Sequence, residues 1–273
     1  MPLQQVTEGA QTRPEVASLW IGKGLDWLHQ LCLASFVHNG HAVTVFYDGT
    51  DVAPSVPEGV CVRPAAEIWD RHAHGHGSAP ASMVSDLFRL YLLKQTEMVW
   101  IDCDVLCYRP LAADRYHVGR EYGGMVNGAV LRLPRMSETL SQLIEWFEDP
   151  EFIPPWLREV QQAEVAKASP GRRLEAAFRL ERPSIGPRAL RYTLRKMQER
   201  QYLREPDVYY PVRGVLTDVL FNPHGGIEGN LTDNTLTIHL YASMIRPFHK
   251  KHAPDPSSFI ARYARDIGFT IAV

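Results

Sequence analysis

The sequence predicts an α/β domain, a central sheet with helices packed around it. Three observations carry this. Near the start, a β-rich run, a helical run and a second β-rich run follow one another within about thirty residues, the βαβ unit of a parallel sheet. Later, a helical stretch over 82–95 leads directly into a short apolar run at 98–101, the same alternation repeated. At 273 residues the chain can bury a full core and is near the upper size for one domain, so 1–273 is expected to form a single unit.

Taken in order, residues 16–21 (VASLWI) read as a strand that Gly22 and Gly24 break. Residues 25–38 place Leu28, Leu31, Cys32 and Ser35–Phe36 at helical spacing and stop at Asn39-Gly40, a helix-ending pair. Residues 42–47 (AVTVFY) are β-branched and aromatic, a second strand. The segment 48–80 is rich in Pro, Gly and His, with one short strand around 60–62. A helix follows over 82–95, a strand over 98–101, another apolar run over 105–108, and one or two strands over 124–131. Residues 136–147 carry Leu140, Leu143, Ile144 and Phe147 as a helical stripe. Three prolines punctuate 149–155. From 172 to 204, ten Lys and Arg stand against three Glu in a largely helical pattern. Such a run reads as a solvated face, the rival reading being a surface for anionic or lipid-linked acceptors. Residues 235–240 (TLTIHL) give a late strand.

The informative stretch is 85–111, SDLFRLYLLKQTEMVWIDCDVLCYRPL. Four apolar residues lead into Asp102-Cys103-Asp104, and residues two apart in a strand share a side. The two carboxylates are therefore expected side by side where a strand ends, the edge at which open α/β sheets bind ligands. Paired oxygen donors suit Mg²⁺ or Mn²⁺ shared with a diphosphate. The preceding helix is apolar nearly all round, with Val84, Leu87, Phe88 and Tyr91 on one stripe and Leu90 and Leu93 opposite, the mark of a buried helix. Asp86 and Arg89, three apart, then form a charged pair where charge is costly unless paired or used. An internal ion pair and a polar ligand pocket both fit.

S-D-x-x-R followed after thirteen residues by D-x-D resembles the sugar-binding region of DXD-containing glycosyltransferases (family 32-like). That group includes α-1,4-galactosyltransferase-like and yeast mannosyltransferase-like enzymes, and the pattern recurs in glucosylating clostridial toxins. The likeness extends to VASLWIGKGL, to ASFVHNGH with VTVFYD, to VNGAVLRLP, to SIGPRALRYTL and to TIHLYASMIRP. It departs where the family has Gly-Gly and Tyr before D-x-D; here Glu97-Met98 and Trp100 stand there. The resemblance implies a GT-A fold, a Rossmann-like mixed central sheet flanked by helices, with a helical insertion near 149–183 shaping the acceptor side. It implies a retaining, metal-dependent hexosyltransferase that uses a nucleotide diphosphate sugar, a UDP-sugar above all, with Mn²⁺ or Mg²⁺ as cofactor. The acceptor would be a glycan, such as a growing polysaccharide, or a lipid-linked molecule. On the same grounds Asp102, Asp104 and His239 would form the metal set. The donor would lie against Trp20, Ile21, Tyr47, Asp48, Asp86, Arg89, Asp102, Cys103, Asn127 and Gly186. Asp86, Arg89 and Arg246 would support charge in the transition state, and no residue is identified as nucleophile or base.

The remaining signals narrow the field. A net charge of -2 gives no footprint for nucleic acid. Apolar residues at 45% and charged at 22% exclude disorder and a membrane bundle. No apolar run approaches the ~18 residues of a membrane span, and the polar start lacks a secretory pattern. A cytoplasmic protein, peripheral at a membrane at most, with Cys32, Cys61, Cys103 and Cys107 reduced, is the expectation. His72, His74 and His76 read as a mobile solvent loop rather than a metal site. Two rival functions keep their place: a haloacid dehalogenase-like phosphatase, whose D-x-D supplies nucleophile and acid/base, and a non-catalytic nucleotide-sugar or carbohydrate-binding module.

Overall fold

Val16–Ile21 (β1) is buried over most of its length and pairs in parallel with Val43–Asp48 (β2). Between them Trp27–His38 (α1) begins where the Asp26 carboxylate accepts from the backbone N–H groups of Leu28 and His29. This satisfies donors that a helix N-terminus leaves open. The helix stops at Asn39, and Gly40 turns the chain with φ +78°, a conformation that favours glycine. The βαβ unit read from the sequence is thus present, and Val60–Pro64 (β3) extends it in parallel beside β2. The computed structural model that shows this describes residues 13–49 and 52–273. The reading of the polar start as leaderless falls outside them, but for Arg13 and Pro14.

Ala81–Gln95 (α2) buries Met83, Val84, Leu87, Phe88, Leu90, Leu92 and Leu93, each such side chain contributing roughly 1.5–3 kcal/mol. It delivers the chain to Val99–Ile101 (β4), parallel to β1 on the side away from β2. After Val105–Cys107 (β5), the strands His117–Arg120 (β6) and Val126–Arg132 (β7) form an antiparallel pair, and β7 also runs antiparallel to β4. The sheet order is β3-β2-β1-β4-β7-β6, the mixed central sheet flanked by helices that was expected. β6 had no signal in the sequence: its glycine and charged end are poor strand formers. It fits because Gly119 leaves room for Tyr209, which a Cβ there would meet at 2.7 Å.

The late strand is realised as Thr237–His239 (β8), which pairs antiparallel with β5 in a separate two-stranded ribbon. Glu138–Glu148 (α3) starts on a Ser137 cap. Within 149–183 lie Glu159–Ala166 (α4) and Arg173–Leu180 (α5). Their neighbourhood sends Phe152, Trp156, Val165, Leu174 and Phe178 into the core that also holds α2, α3 and Pro187–Lys196 (α6). Half of the cations of the basic stretch 172–204 are ion-paired: Arg172 and Arg179 on Glu175, Arg173 on Glu151, Arg188 on Glu181, Arg204 on Asp114. Pro206–Tyr209 (α7) follows it. A second core joins α1, Leu106, Ile238, Leu240 and the C-terminal Phe259–Asp266 (α9), which comes after Pro247–Lys251 (α8). All four cysteines are free, three of them buried. No described helix is long and apolar enough to cross a membrane.

The strand order places a crevice. From β1 the chain winds outward to β2 and β3, then returns to lay β4 on the other flank of β1. Where winding reverses, the loops leaving the carboxyl ends of the strands diverge and open a binding crevice. Asp102-Cys103-Asp104 leaves β4 at that point.

Candidate active site

Asp102 and Asp104 lie in a turn rather than at alternate positions of one strand, which corrects the reason given for their pairing. The Asp102 N–H donates to Ala129 O on β7, and the Val105 N–H to Asp102 O at 3.0 Å. This turn, not the pleat of a strand, brings the two carboxylates together. His239 joins them because β5 and β8 are paired with Val105 opposite His239. One ligand atom from each of Asp102, Asp104 and His239 lies within 4.8 Å of the others. Asp104 Oδ2 accepts from the Ala242 N–H at 2.8 Å, and its Oδ1 lies 3.3 Å from His239 Nε2. Burial pushes the Asp104 carboxyl up, but His239 and the Ala242 N–H outweigh it and hold it well below the usual range. Burial pushes His239 down, and Asp104 outweighs that in turn, leaving the imidazole above its ordinary value.

Asp86 and Arg89 reach the same place from α2. Arg89 is buried; its Nη1 donates to Gly128 O at 2.8 Å, and its Nη2 lies 3.3 Å from Asp86 Oδ1 and 3.4 Å from Asp102 Oδ1. Its guanidinium also sits 4.9 Å over the Trp100 ring, a cation–π contact. Burial raises the Asp86 carboxyl to about 6, against the pull of Arg89 and with a push from Asp102. Gly186 faces this carboxylate, and a Cβ there would stand 2.6 Å from Asp86 Oδ2. The internal ion pair is present, and Asp102 shares its guanidinium.

The departure from the family's Gly-Gly-Tyr pattern has a structural answer. Thr96 ends α2 in an extended conformation, its hydroxyl donating to Leu92 O and accepting from the Met98 N–H. None of residues 96–98 takes a positive φ, so the turn needs no glycine. Glu97 is held outside by Arg132 and Arg135 at 2.9 and 3.1 Å, while Met98 is buried. Trp100 donates from Nε1 to Asp102 Oδ1 at 2.7 Å and so fixes that carboxylate's direction. Sequence reading singled Trp100 out only as a mismatch.

The rim is assembled from several elements. Trp20 and Ile21 at the end of β1 lie in register with Tyr47 and Asp48 at the end of β2, and Asp48 is held by Arg71 at 2.8 Å. Cys103 turns its thiol away from the crevice to Ser18 Oγ at 2.9 Å, and burial pushes that thiol up to about 12; only its backbone can face a donor. Asn127 bonds Glu121, at the base of the β6–β7 turn, and accepts from the Ala129 N–H. Tyr241, strained at φ +49°, lays its ring 3.9 Å from that of His239. Its hydroxyl has no partner among the described residues, and burial and Glu121 raise its pKa. Glu121 carried no signal in the sequence, since only the fold brings it here, whereas Tyr241 stands two residues from His239 and was not singled out. Arg246 is not brought to the triad: its guanidinium is exposed and paired with Asp218 at 2.5 Å. His72 and His74 lie exposed on the solvent face where the loop was expected and His76 is half-buried, the rings of His74 and His76 resting beside Trp69, which stacks on Tyr91 of α2. His74 and His76 line a separate cleft of about 280 Å³ with Leu87, Phe147 and Glu148.

The donor set fits a divalent ion. Two carboxylates and an imidazole converge, the imidazole turning its Nε2 toward Asp104. Such a mixed oxygen and nitrogen set suits a first-row divalent cation. No protein-family profile matches the chain, and no curated protein does. Among solved structures it is similar to one described as "PaToxG Glycosyltransferase", at 14% identity over 69% of this chain and 76% of that one, with a TM-score of 0.36. So loose a likeness leaves the reading of the site to its own residues.

Proposed function

We propose that this protein is a metal-dependent, retaining glycosyltransferase that moves a hexose from a nucleotide diphosphate sugar, a UDP-sugar above all, to a hydroxyl of a glycan or lipid-linked acceptor. The observation that carries it is convergence: three distant segments, 86–89, 102–104 and 239, bring two ion-ligating carboxylates, a histidine and a buried Asp–Arg pair to one crevice. Asp102, Asp104 and His239 would hold Mn²⁺, which an imidazole ligand favours over Mg²⁺. When bound, such an ion neutralises charge on a leaving diphosphate.

The chain's own groups do the rest. Arg89 offers N–H donors to phosphate or sugar oxygens, and Asp86 accepts from sugar hydroxyls. Trp20, Ile21, Tyr47 and Asp48 form an edge long enough to flank a nucleoside, and Asn127 and Gly186 border the transferred sugar. Asp102 is occupied by Trp100 and Arg89, and Asp104 by His239 and Ala242, so neither is a free nucleophile. Retention then calls for front-side substitution. The bond from the anomeric carbon to the phosphate oxygen breaks, the acceptor oxygen bonds on the same face, and its proton passes to a phosphate oxygen. Catalysis rests on positioning and electrostatics. The phosphatase reading is disfavoured because Asp102, its nucleophile, is restrained by Trp100 and Arg89.

Calorimetry with UDP in the presence and absence of Mn²⁺ tests this. Binding should require the ion, and Asp104→Ala should abolish it while the melting temperature of the ion-free protein shows a fold intact. Unchanged binding by that variant would remove the site from consideration. Slow release of free sugar from the donor separates a transferase from a binding module.

A further inference from the structure

Four large apolar side chains stand in the open beside the site. Val215 and Leu216 lie on the 3₁₀ turn Gly214–Phe221, and Met244 and Phe248 lie on the segment that enters and forms α8; each is at least half exposed. The two segments pack together. Met244 Sδ is 2.9 Å from where a Cβ on Gly214 would stand, Arg246 pairs with Asp218, and His249 stacks on Phe221 at 4.1 Å. The same two segments carry four permanent cations, Arg213, Arg246, Lys250 and Lys251, with His249 stacked on Phe221 and His252 on Phe248. Two acids face this ring: Asp218, already engaged by Arg246 and 3.6 Å from His249, and Asp26 toward Lys250. The local balance is positive on a chain whose net charge is -2.

Single exposed apolar residues are ordinary on a protein surface. Four in one place, ringed by Lys and Arg, have the composition of an interfacial membrane-binding face, in which apolar side chains enter the headgroup boundary and cations meet anionic lipid. A second copy of this chain is a poorer occupant, because an isologous contact would set like charges against each other. We propose that this face, with Val215, Leu216, Met244 and Phe248 inside a ring of Arg213, Lys250 and Lys251, docks on an anionic lipid bilayer. Ala242 touches Asp104 and Tyr241 stacks on His239, so the docked face adjoins the rim of the crevice. Under the transferase reading, and resting on it, the acceptor hydroxyl is then one presented at a membrane surface.

The test is co-sedimentation of the full chain, in EDTA, with vesicles of phosphatidylcholine alone and with about 30 mol% phosphatidylserine added, an anionic surface of the kind that attracts basic segments. The chain should sediment with the anionic vesicles only, and less as salt is raised. Lys250→Ala with Lys251→Ala should lower the partition coefficient about thirty-fold, at ~1 kcal/mol per cation lost. Met244→Ser with Phe248→Ser should remove most of the remainder, with the melting temperature unchanged because both side chains are exposed. Equal binding to neutral vesicles, no binding to anionic ones, or binding that neither double variant alters overturns the proposal. So does a concentration-dependent dimer that Phe248→Ser dissolves, which would assign the face to a second copy. The readout needs neither metal nor nucleotide sugar, so its failure and the failure of the transferase reading are distinguishable.

Discussion

Asp86 is charged at neutral pH at a cost to the fold. Its carboxyl titrates near 6 because burial outweighs Arg89, against about 3.9 for an unfolded Asp. Between those values the folded state binds more protons than the unfolded one, so stability falls as pH rises from about 4 to about 6 and stays lower above. Asp86→Asn is never charged, so it should be more stable than the wild type at pH 7.5, by up to about 3 kcal/mol, and nearly equal to it at pH 4. Under the transferase reading the same substitution should weaken donor binding, because an amide replaces an acceptor-only group. Thermal melts at the two pH values, paired with nucleotide-sugar titrations, check both halves; a destabilised variant at pH 7.5 would show that the ion pair with Arg89 dominates. Gly186→Ala probes the same contact from the other side. Its methyl group would press on the Asp86 carboxylate, and overpacking of this kind costs about 1–3 kcal/mol. Adding Asp86→Ala should restore the stability and not the binding.

At the scale of elements, the turn between β4 and β5 decides how firmly Asp102 is held. Trp100→Phe keeps an aromatic ring under Arg89 and deletes the N–H that Asp102 Oδ1 accepts. Loss of such a supporting bond costs about 10–100-fold in metal affinity, so Mn²⁺ affinity should fall by that order with little change in secondary structure. Affinity equal to that of the wild type would mean that Arg89 alone orients the carboxylate. The elements that carry this turn were legible in the sequence: the βαβ start from its periodicity, α2 from its all-round apolar pattern, and D-x-D from the apolar run before it. Two things were not. β6, His117–Arg120, forms because Gly119 admits Tyr209 from a distant segment, and no local pattern encodes a partner 90 residues away. The pairing of β5 with β8, which delivers His239 to Asp104, is equally non-local. The resemblance pointed to His239 where spacing alone gave only a histidine in a strand. Glu121 had no such pointer, since a hairpin end becomes a neighbour of the site only through the fold; Tyr241, two residues after His239, is local to it, and what the sequence did not show is its left-handed backbone.

Over the whole molecule, the crevice is closed by residues from both cores. Asp86, Arg89 and Trp100 belong to elements of the larger one, and His239 is flanked by Ile238 and Leu240 of the smaller. An ion held by Asp102, Asp104 and His239 therefore binds only the assembled fold, and its binding free energy adds to global stability. At an ion concentration of about 100 times Kd this amounts to about 2.7 kcal/mol, a rise of roughly 5 °C in Tm for a chain of this size. The pH dependence has a definite sign. Asp104 raises the His239 pKa above its ordinary value; the stability this pair gives is fully present below pH 6.5 and is lost as pH rises through the folded value. The ion needs the neutral imidazole, so protons compete with it. Without metal, Tm should fall between pH 6 and pH 8; the further rise produced by Mn²⁺ should grow over the same interval. His239→Gln should flatten the Mn²⁺-dependent trend and leave in the metal-free one only the small fall that Asp86, half titrated at pH 6, still contributes. Scanning fluorimetry with and without Mn²⁺ at the two pH values reads this directly. An Mn²⁺-dependent rise of equal size at both, or one that survives His239→Gln unchanged, would take His239 out of the ligand set and leave the two carboxylates to hold the ion alone.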